Sequence, residues 1–208
     1  MKKTMIIALA LFTSFAGFAQ AKTTAKHDFK KWNVRLRLIA AVPKSTMYTL
    51  GKSDVKATTS VVPELDFTYY FIKNLSAELI LGTTHHTVKL ADASSSTKLG
   101  KVWLLPPTLN VQYHLPIGNI IPYAGVGVNY SIFYGAKDDA ASLKYKNNVG
   151  FSTQLGADFN INSKWFINVD IKKIFLQTDV TVEGTPATVL SGVKVDPFIF
   201  GLGVGTRF

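Results

Sequence analysis

From Phe198 to the C-terminus the chain alternates: Phe198, Phe200, Leu202, Val204, Thr206 and Phe208 share one side of an extended segment, while Ile199, Gly201, Gly203, Gly205 and Arg207 share the other. One side is apolar almost to the last residue. The other is small and ends on a charge, so the segment separates an apolar solvent from a polar space. Transmembrane β-barrels end on such a strand, which closes the sheet against the first strand and carries aromatics at the membrane interface. The same alternation fits an edge strand of a soluble sandwich. The rest of the chain has to decide.

At the other end, Lys2 and Lys3 precede the apolar run Met5–Phe12, which relaxes into small residues and reaches Ala19-Gln20-Ala21. That is the form of a secretory signal with an A-x-A cleavage site, so residues 1–21 are expected to be removed and 22–31, with His27, to form a periplasmic lead-in to a barrel over 32–208. From Lys22 onward no apolar stretch reaches the ~20 residues that a membrane helix requires. The absence of cysteine removes disulfides and thiolate metal sites. The net charge of +10 does not point to nucleic acid, because the positive residues are scattered and no recognition motif accompanies them. Surplus lysines on an exported protein suit anionic lipid headgroups instead.

Between these ends the alternation recurs in runs beginning at Trp32, Thr59, Leu75, Lys101, Pro122, Val149, Trp165 and Phe198. Short reversals at Ile72-Lys73-Asn74, 116–121 and Asn162-Ser163-Lys164 alternate with longer polar segments at 44–57, around 92–96, at 135–147 and at 177–192. This is the plan of an all-β, eight-stranded antiparallel transmembrane barrel, with short periplasmic turns and long extracellular loops, in a bacterial outer membrane. Aromatics fall at both ends of the runs: Trp32, Phe71, Tyr113, Phe159, Trp165 and Phe208 at the periplasmic rim, Trp103, Tyr134, Phe151 and Phe198 at the outer one.

Several phrases are also specific in combination: Val61-Val62-Pro63-Glu64-Leu65-Asp66, Gly100-Lys101-Val102-Trp103-Leu104-Leu105-Pro106-Pro107-Thr108, Pro122-Tyr123-Ala124-Gly125-Val126-Gly127-Val128-Asn129-Tyr130, Val195-Asp196-Pro197-Phe198 and the terminal Arg207-Phe208. In these the sequence resembles the OmpW family of small outer-membrane proteins, over nearly all of the mature chain. The resemblance implies an eight-stranded barrel with a narrow, largely apolar interior that passes small hydrophobic molecules across the outer membrane. The segments 90–99 and 180–192 lie outside the likeness.

Sorted by face, the inward residues form two groups. Arg35, Arg37, Glu64, Asp66, Glu78, Asp158, Asp170, Lys172 and Arg207 are charged, and an eight-stranded barrel is narrow enough for them to form a packed ion-pair network. Ile80, Leu104, Phe133, Phe166, Ile174 and Ile199 are apolar, and most of them lie toward the outer half. An apolar upper cavity over a charged floor would admit a small hydrophobic molecule from outside and stop it from passing straight down. A closed barrel serving as an anchor, an adhesion platform or a phage or bacteriocin receptor would have a similar interior. Phe208 is the expected signal to the barrel assembly machinery, and outer-membrane lipid is the expected surrounding.

Enzymatic chemistry has little support. The candidate bases are His85, His86 and His114, none beside a serine in sequence, and adjacent His85 and His86 point oppositely on a strand, which suits neither a metal nor a catalytic pair. No cofactor and no metal is expected.

Prolines inside strands remove ladder donors, and Pro63 and Pro106-Pro107 fall inside the second and fourth runs. Counting from the reversals places Pro63 and Pro107 both opposite Thr83, beside Gly82, to within about two residues because the stagger of the strands is not fixed by the count. This patch is a candidate lateral portal into the membrane; the competing reading is a pair of bulges that only bend the wall.

Overall fold

The computed structural model describes residues 30–92, 95–138, 142–183 and 188–208. The expected signal peptide and nearly all of the 22–31 lead-in, His27 included, lie outside the described residues. Among the described residues fifteen strands are formed. They are β1 (Trp32–Val42), β2 (Tyr48–Leu50), β3 (Ser53–Ala57), β4 (Ser60–Ile72), β5 (Leu75–Gly82), β6 (Thr84–Ala91), β7 (Ser96–Leu105), β8 (Thr108–His114), β9 (Ile120–Asp138), β10 (Ser142–Tyr145), β11 (Asn148–Asn160), β12 (Trp165–Phe175), β13 (Gln177–Glu183), β14 (Thr188–Lys194) and β15 (Phe198–Arg207).

Eight of them close an antiparallel barrel, in the order β1, β4, β5, β8, β9, β11, β12, β15 and back to β1. The closing ladder joins the first and last barrel strands, from Asn33 opposite Arg207 to Val42 opposite Phe198. Its lower end is held further by Trp32 and Phe208, whose backbone N–H groups each donate to the other's carbonyl. The short reversals and the outer ends of β1 and β15 in sequence, Trp32 and Arg207, lie together at one rim.

Face assignment follows the alternation throughout. Outward residues such as Val126, Leu155 and Phe151 are 63%, 64% and 66% exposed, whereas Arg35, Glu78 and Lys172 are each 0% exposed in the interior. This inversion of a soluble protein's pattern needs an apolar solvent outside. All ten girdle aromatics expected at the two rims are exposed on the outer wall.

The outer end differs from expectation. In segments 44–57, 135–147 and 177–192 the described residues are largely strands and not loops: they form β2 and β3, the end of β9 with β10, and β13 with β14. β6 and β7 likewise continue the wall upward, pairing with β3 and β9, while β10, β13 and β14 form a separate three-stranded sheet. The cause is alternation hidden among polar residues. Val180 and Leu190 turn inward and are buried, whereas Val189 remains exposed on the outside. With Met47, Leu143, Leu176, Val193 and Val195 they form one apolar core with the upper barrel residues Ile39, Ala41, Ile174 and Ile199.

Candidate functional site

The lower interior is a single ion-pair network. Arg37 reaches carboxylates on three strands: Asp66 at 2.7 Å and Glu64 at 3.1 Å from Nε, Glu78 at 3.2 Å from Nη2 and Asp170 at 3.2 Å from Nη1. Arg35 pairs with Glu78 and, at 3.6 Å, with Asp158. Lys172 donates to Glu64 at 2.6 Å and lies 3.1 Å from Asp170, and Arg207 joins from the rim through Asp158 at 3.1 Å. All nine charged residues expected in the lumen are therefore connected.

Polar side chains fill the remaining positions. Gln112 Nε2 donates to Glu78 at 2.6 Å and to Gln154 Oε1 at 2.9 Å, and Gln154 Nε2 donates to Asp170 at 2.7 Å. Tyr123 donates to Asp170 at 2.9 Å and accepts from Asn168, whose amide also donates to Asp158. These bridging groups all lie on inward positions of the alternation, yet a search for charges alone passes over them. Ions taken out of water are tolerated only with such partners, and a few buried atoms here, among them Arg35 Nε and Asp66 Oδ1, still lack a hydrogen bond. His114 is satisfied at the bottom, near Tyr70 and 2.9 Å from Ser76.

The switch from charged to apolar comes within one inward step along the strands. Going outward, Arg37 is followed by Ile39, Glu64 by Val62 and Lys172 by Ile174, and Gly201, beside Arg37 and Asp170, by Ile199; these four apolar residues belong to the upper core or pack against it. Phe133 packs there too. The largely apolar interior implied by the family likeness is thus confined to the outer half.

Phe166 departs from the expected grouping. It is buried at the periplasmic end, where the Arg207 guanidinium lies 4.1 Å from its ring centre and Gly205 makes room for it. Being the second residue after a short reversal, it is too low to join the apolar group. Ile80 and Leu104 are buried, but beside the wall's interruption, Ile80 opposite Thr108 and Leu104 opposite Thr84.

That interruption lies where the prolines fall. The β5–β8 ladder stops at Ile80–Thr108, and the wall resumes as β6–β7 at Thr84–Leu104. By this register Pro107 stands opposite Leu81, and Thr83 opposite Leu105. The expectation for Pro107 was off by two residues because the stagger of the strands enters the count. On the other flank the β4–β5 ladder ends at Glu64–Gly82, which puts Pro63 level with Thr83 as expected. Side chains hold the seam in place of the ladder: Thr83 Oγ1 lies 2.6 Å from the Tyr134 hydroxyl, His85 N donates to Ser60 Oγ at 3.2 Å, and His86 Nδ1 lies 2.6 Å from the Thr58 carbonyl oxygen. His86 is buried and His85 exposed, so the two histidines do point oppositely.

Comparison with known proteins gives the same architecture. The sequence is 40% identical over 183 residues to an uncharacterized outer-membrane protein, y4mB, of Sinorhizobium fredii, covering 85% of this chain and 80% of that protein. It is 32% identical to the dibenzothiophene metabolism operon protein DoxH of Pseudomonas sp. strain C18, over 76% of this chain and 75% of the other. Among solved structures, the outer membrane protein OprG of Pseudomonas aeruginosa superposes with a TM-score of 0.75 at 24% identity, covering 88% of this chain and 97% of OprG. The profile of the OmpW family matches residues 33–208, and with the closed barrel and its apolar wall in place, the chain belongs to the OmpW family of outer-membrane proteins.

Proposed function

We propose that this barrel takes small hydrophobic molecules from outside the cell into the lipid of the outer membrane, through the apolar upper half and then sideways at the Thr83 seam. The observation that carries this reading is the arrangement of the two storeys. An apolar solute that partitions among Ile39, Ile174, Ile199 and Phe133 meets, one step lower, a densely paired network of buried charges around Arg37. Passing it would strip partners from buried ions, at a cost of about 3–5 kcal/mol for each pair broken. The wall beside Ile80 and Leu104 offers an easier route, because between Gly82 and Thr84 it lacks ladder bonds on both flanks. The name of one relative supports the substrate class, dibenzothiophene being a small, apolar aromatic.

The test closes the seam. Pro63→Val and Pro106→Val restore donors that face Thr83 and Gly82, the carbonyl of Pro107 being turned to Tyr130 on β9, and Val61→Cys with His85→Cys, both on exposed outward positions of a chain without other cysteines, would staple β4 to β6. Uptake of a labelled aromatic hydrocarbon into cells producing these variants should fall several-fold and recover when the disulfide is reduced. Unchanged uptake through a folded, stapled wall would eliminate the lateral route.

A second reading rests on one observation, that the upper core is itself packed with side chains. A barrel filled at both levels serves as an anchor or receptor platform. In that case cells with and without the protein would take up the hydrocarbon equally.

A further inference from the structure

The outer extension carries a charged patch that neither the plug nor the seam uses. On its inner face β3, β6 and β7 contribute Val55, Val88 and Val102 to a small apolar core. On the opposite, outward face, Lys56 stands directly across from Lys89, and Lys89 directly across from Lys98. Three lysines thus form one cross-strand row, all exposed or half-exposed, with exposed Lys101 one step below, opposite Thr87. Like charges placed directly opposite each other on a sheet repel. Among the described residues Asp54, on the row's flank, lies 3.9 Å from Lys56 and also accepts from Thr46 and Thr49, and Asp92 follows the end of β6 beyond Lys89.

The row has a fixed height above the membrane. Directly below it on the same face are His85, Trp103 and Tyr134, cross-strand neighbours whose rings pack at 5.1 Å and 6.2 Å, and below them the lipid-facing wall at Leu109. Trp and Tyr in such a belt sit at the membrane interface. Lys101 is two residues higher and Lys89 four residues above His85, which at ~3.3 Å per residue and a strand tilt of ~40° puts the lysine row about 10 Å above the belt. A simple phospholipid headgroup layer is only about 5–7 Å deep. Lys101 meets that layer; the row stands above it.

We infer that the outward face of β3, β6 and β7 is a binding surface for the phosphates of the outer-leaflet glycolipid, with Lys101 at the level of the lipid's own phosphates and the Lys56–Lys89–Lys98 row reaching those on its inner sugars. The aromatic belt supplies the apolar shelf for the acyl chains beneath. The surface borders the Thr83 seam through Tyr134, so bound glycolipid would lie beside it, but the inference does not depend on transport.

The test uses the full chain refolded in phosphatidylcholine vesicles containing rough lipopolysaccharide, either native or enzymatically dephosphorylated. Glycolipid retained per barrel after gentle detergent extraction is measured by native mass spectrometry. The wild type should keep the phosphorylated form in clear preference, and the variant Lys56→Gln/Lys89→Gln/Lys98→Gln should lose on the order of 100-fold in retention. Lys73→Gln/Lys164→Gln, at the periplasmic turns, should lose nothing. Lys89→Gln alone should give a partial loss and decides the matter should the triple variant not fold, folding being read from heat-modifiable migration. Equal retention of dephosphorylated glycolipid, undiminished retention by the lysine variants, or displacement by inorganic phosphate at similar concentration would each overturn the inference, the last by pointing to a free-anion site.

Discussion

Gly203 stands opposite Arg37 across the closing ladder, and a methyl group on it would lie 2.2 Å from the Leu36 carbonyl oxygen and 2.7 Å from the Cα of Arg37. The glycines of β15 are thus the space in which the arginines of β1 lie flat. At Gly201, one inward position higher, the same methyl group would meet the Arg37 Cδ at 3.3 Å, a flexible side-chain atom. Gly203→Ala should therefore destabilise the barrel by about 1–3 kcal/mol or more, as overpacking does, and Gly201→Ala by less. Urea unfolding in lipid vesicles, followed by tryptophan fluorescence, measures both, and an equal effect would mean the closing register is shifted.

Arg37 is the hub of the plug. Arg37→Met leaves Asp66, Glu64, Glu78 and Asp170 each short of a cation and should cost about 3–5 kcal/mol. Adding Asp66→Asn to that variant should return part of the loss, because the amide removes one uncompensated charge. The double variant's unfolding midpoint decides this, and no recovery would mean that Asp66 does not depend on Arg37.

Equal exposure can mean unequal solvent. Val126, mid-strand on β9, is 63% exposed and Val189, on β14 of the outer sheet, 58%. Val126→Arg should cost about 2–4 kcal/mol of folding into bilayers, whereas Val189→Arg should change stability by less than about 0.5 kcal/mol, as ordinary surface substitutions do. Unfolding free energies in the same bilayer compare them directly. A comparable penalty at Val189 would place the outer sheet inside the membrane.

The outer extension shares its core with the upper barrel residues, but the wall below is held by its own ladders, so the extension can be loosened without opening the barrel. Leu176 is 1% exposed within it. Leu176→Ala should cost about 2–5 kcal/mol of local stability and make β13 and β14 sensitive to protease from outside, while the membrane-embedded fragment keeps its heat-modifiable migration. Proteolysis of intact cells and gel electrophoresis of the fragments give the answer.

The barrel was legible because lipid and lumen impose opposite demands on neighbouring residues, and a period of two is all that reading needs. β1 and the start of β12 fall where the alternation places them, and so do the inward charges. Two kinds of feature were not legible. Phe166 is apolar and inward, so alternation groups it with Ile174; only its height, set by the turn before Trp165, pairs it with Arg207 instead. The outer extension was hidden because its outward face is polar, as a loop would be, and water wets both. The two-residue error at Pro107 has the same origin as any register error: alternation fixes which face a residue takes, not how far its strand is slid against the next.

The plug also bears on how the barrel comes to be closed. Arg35 and Arg37 stand on the first barrel strand, and their partners lie on β4, β5, β11 and β12. The hairpin of β4 and β5 is a neighbour of β1 in sequence, but β11 and β12 reach it only through β15, the last of the eight in sequence. Until β15 zips against β1, Asp170 and Asp158 are separated from the arginines, and an open sheet in the membrane carries charges with half their partners missing. Closure neutralises them together. A nearly closed wall is then a poor resting point for the inserting chain, and the network acts as a ratchet whose final click is the pairing of the first strand with the last.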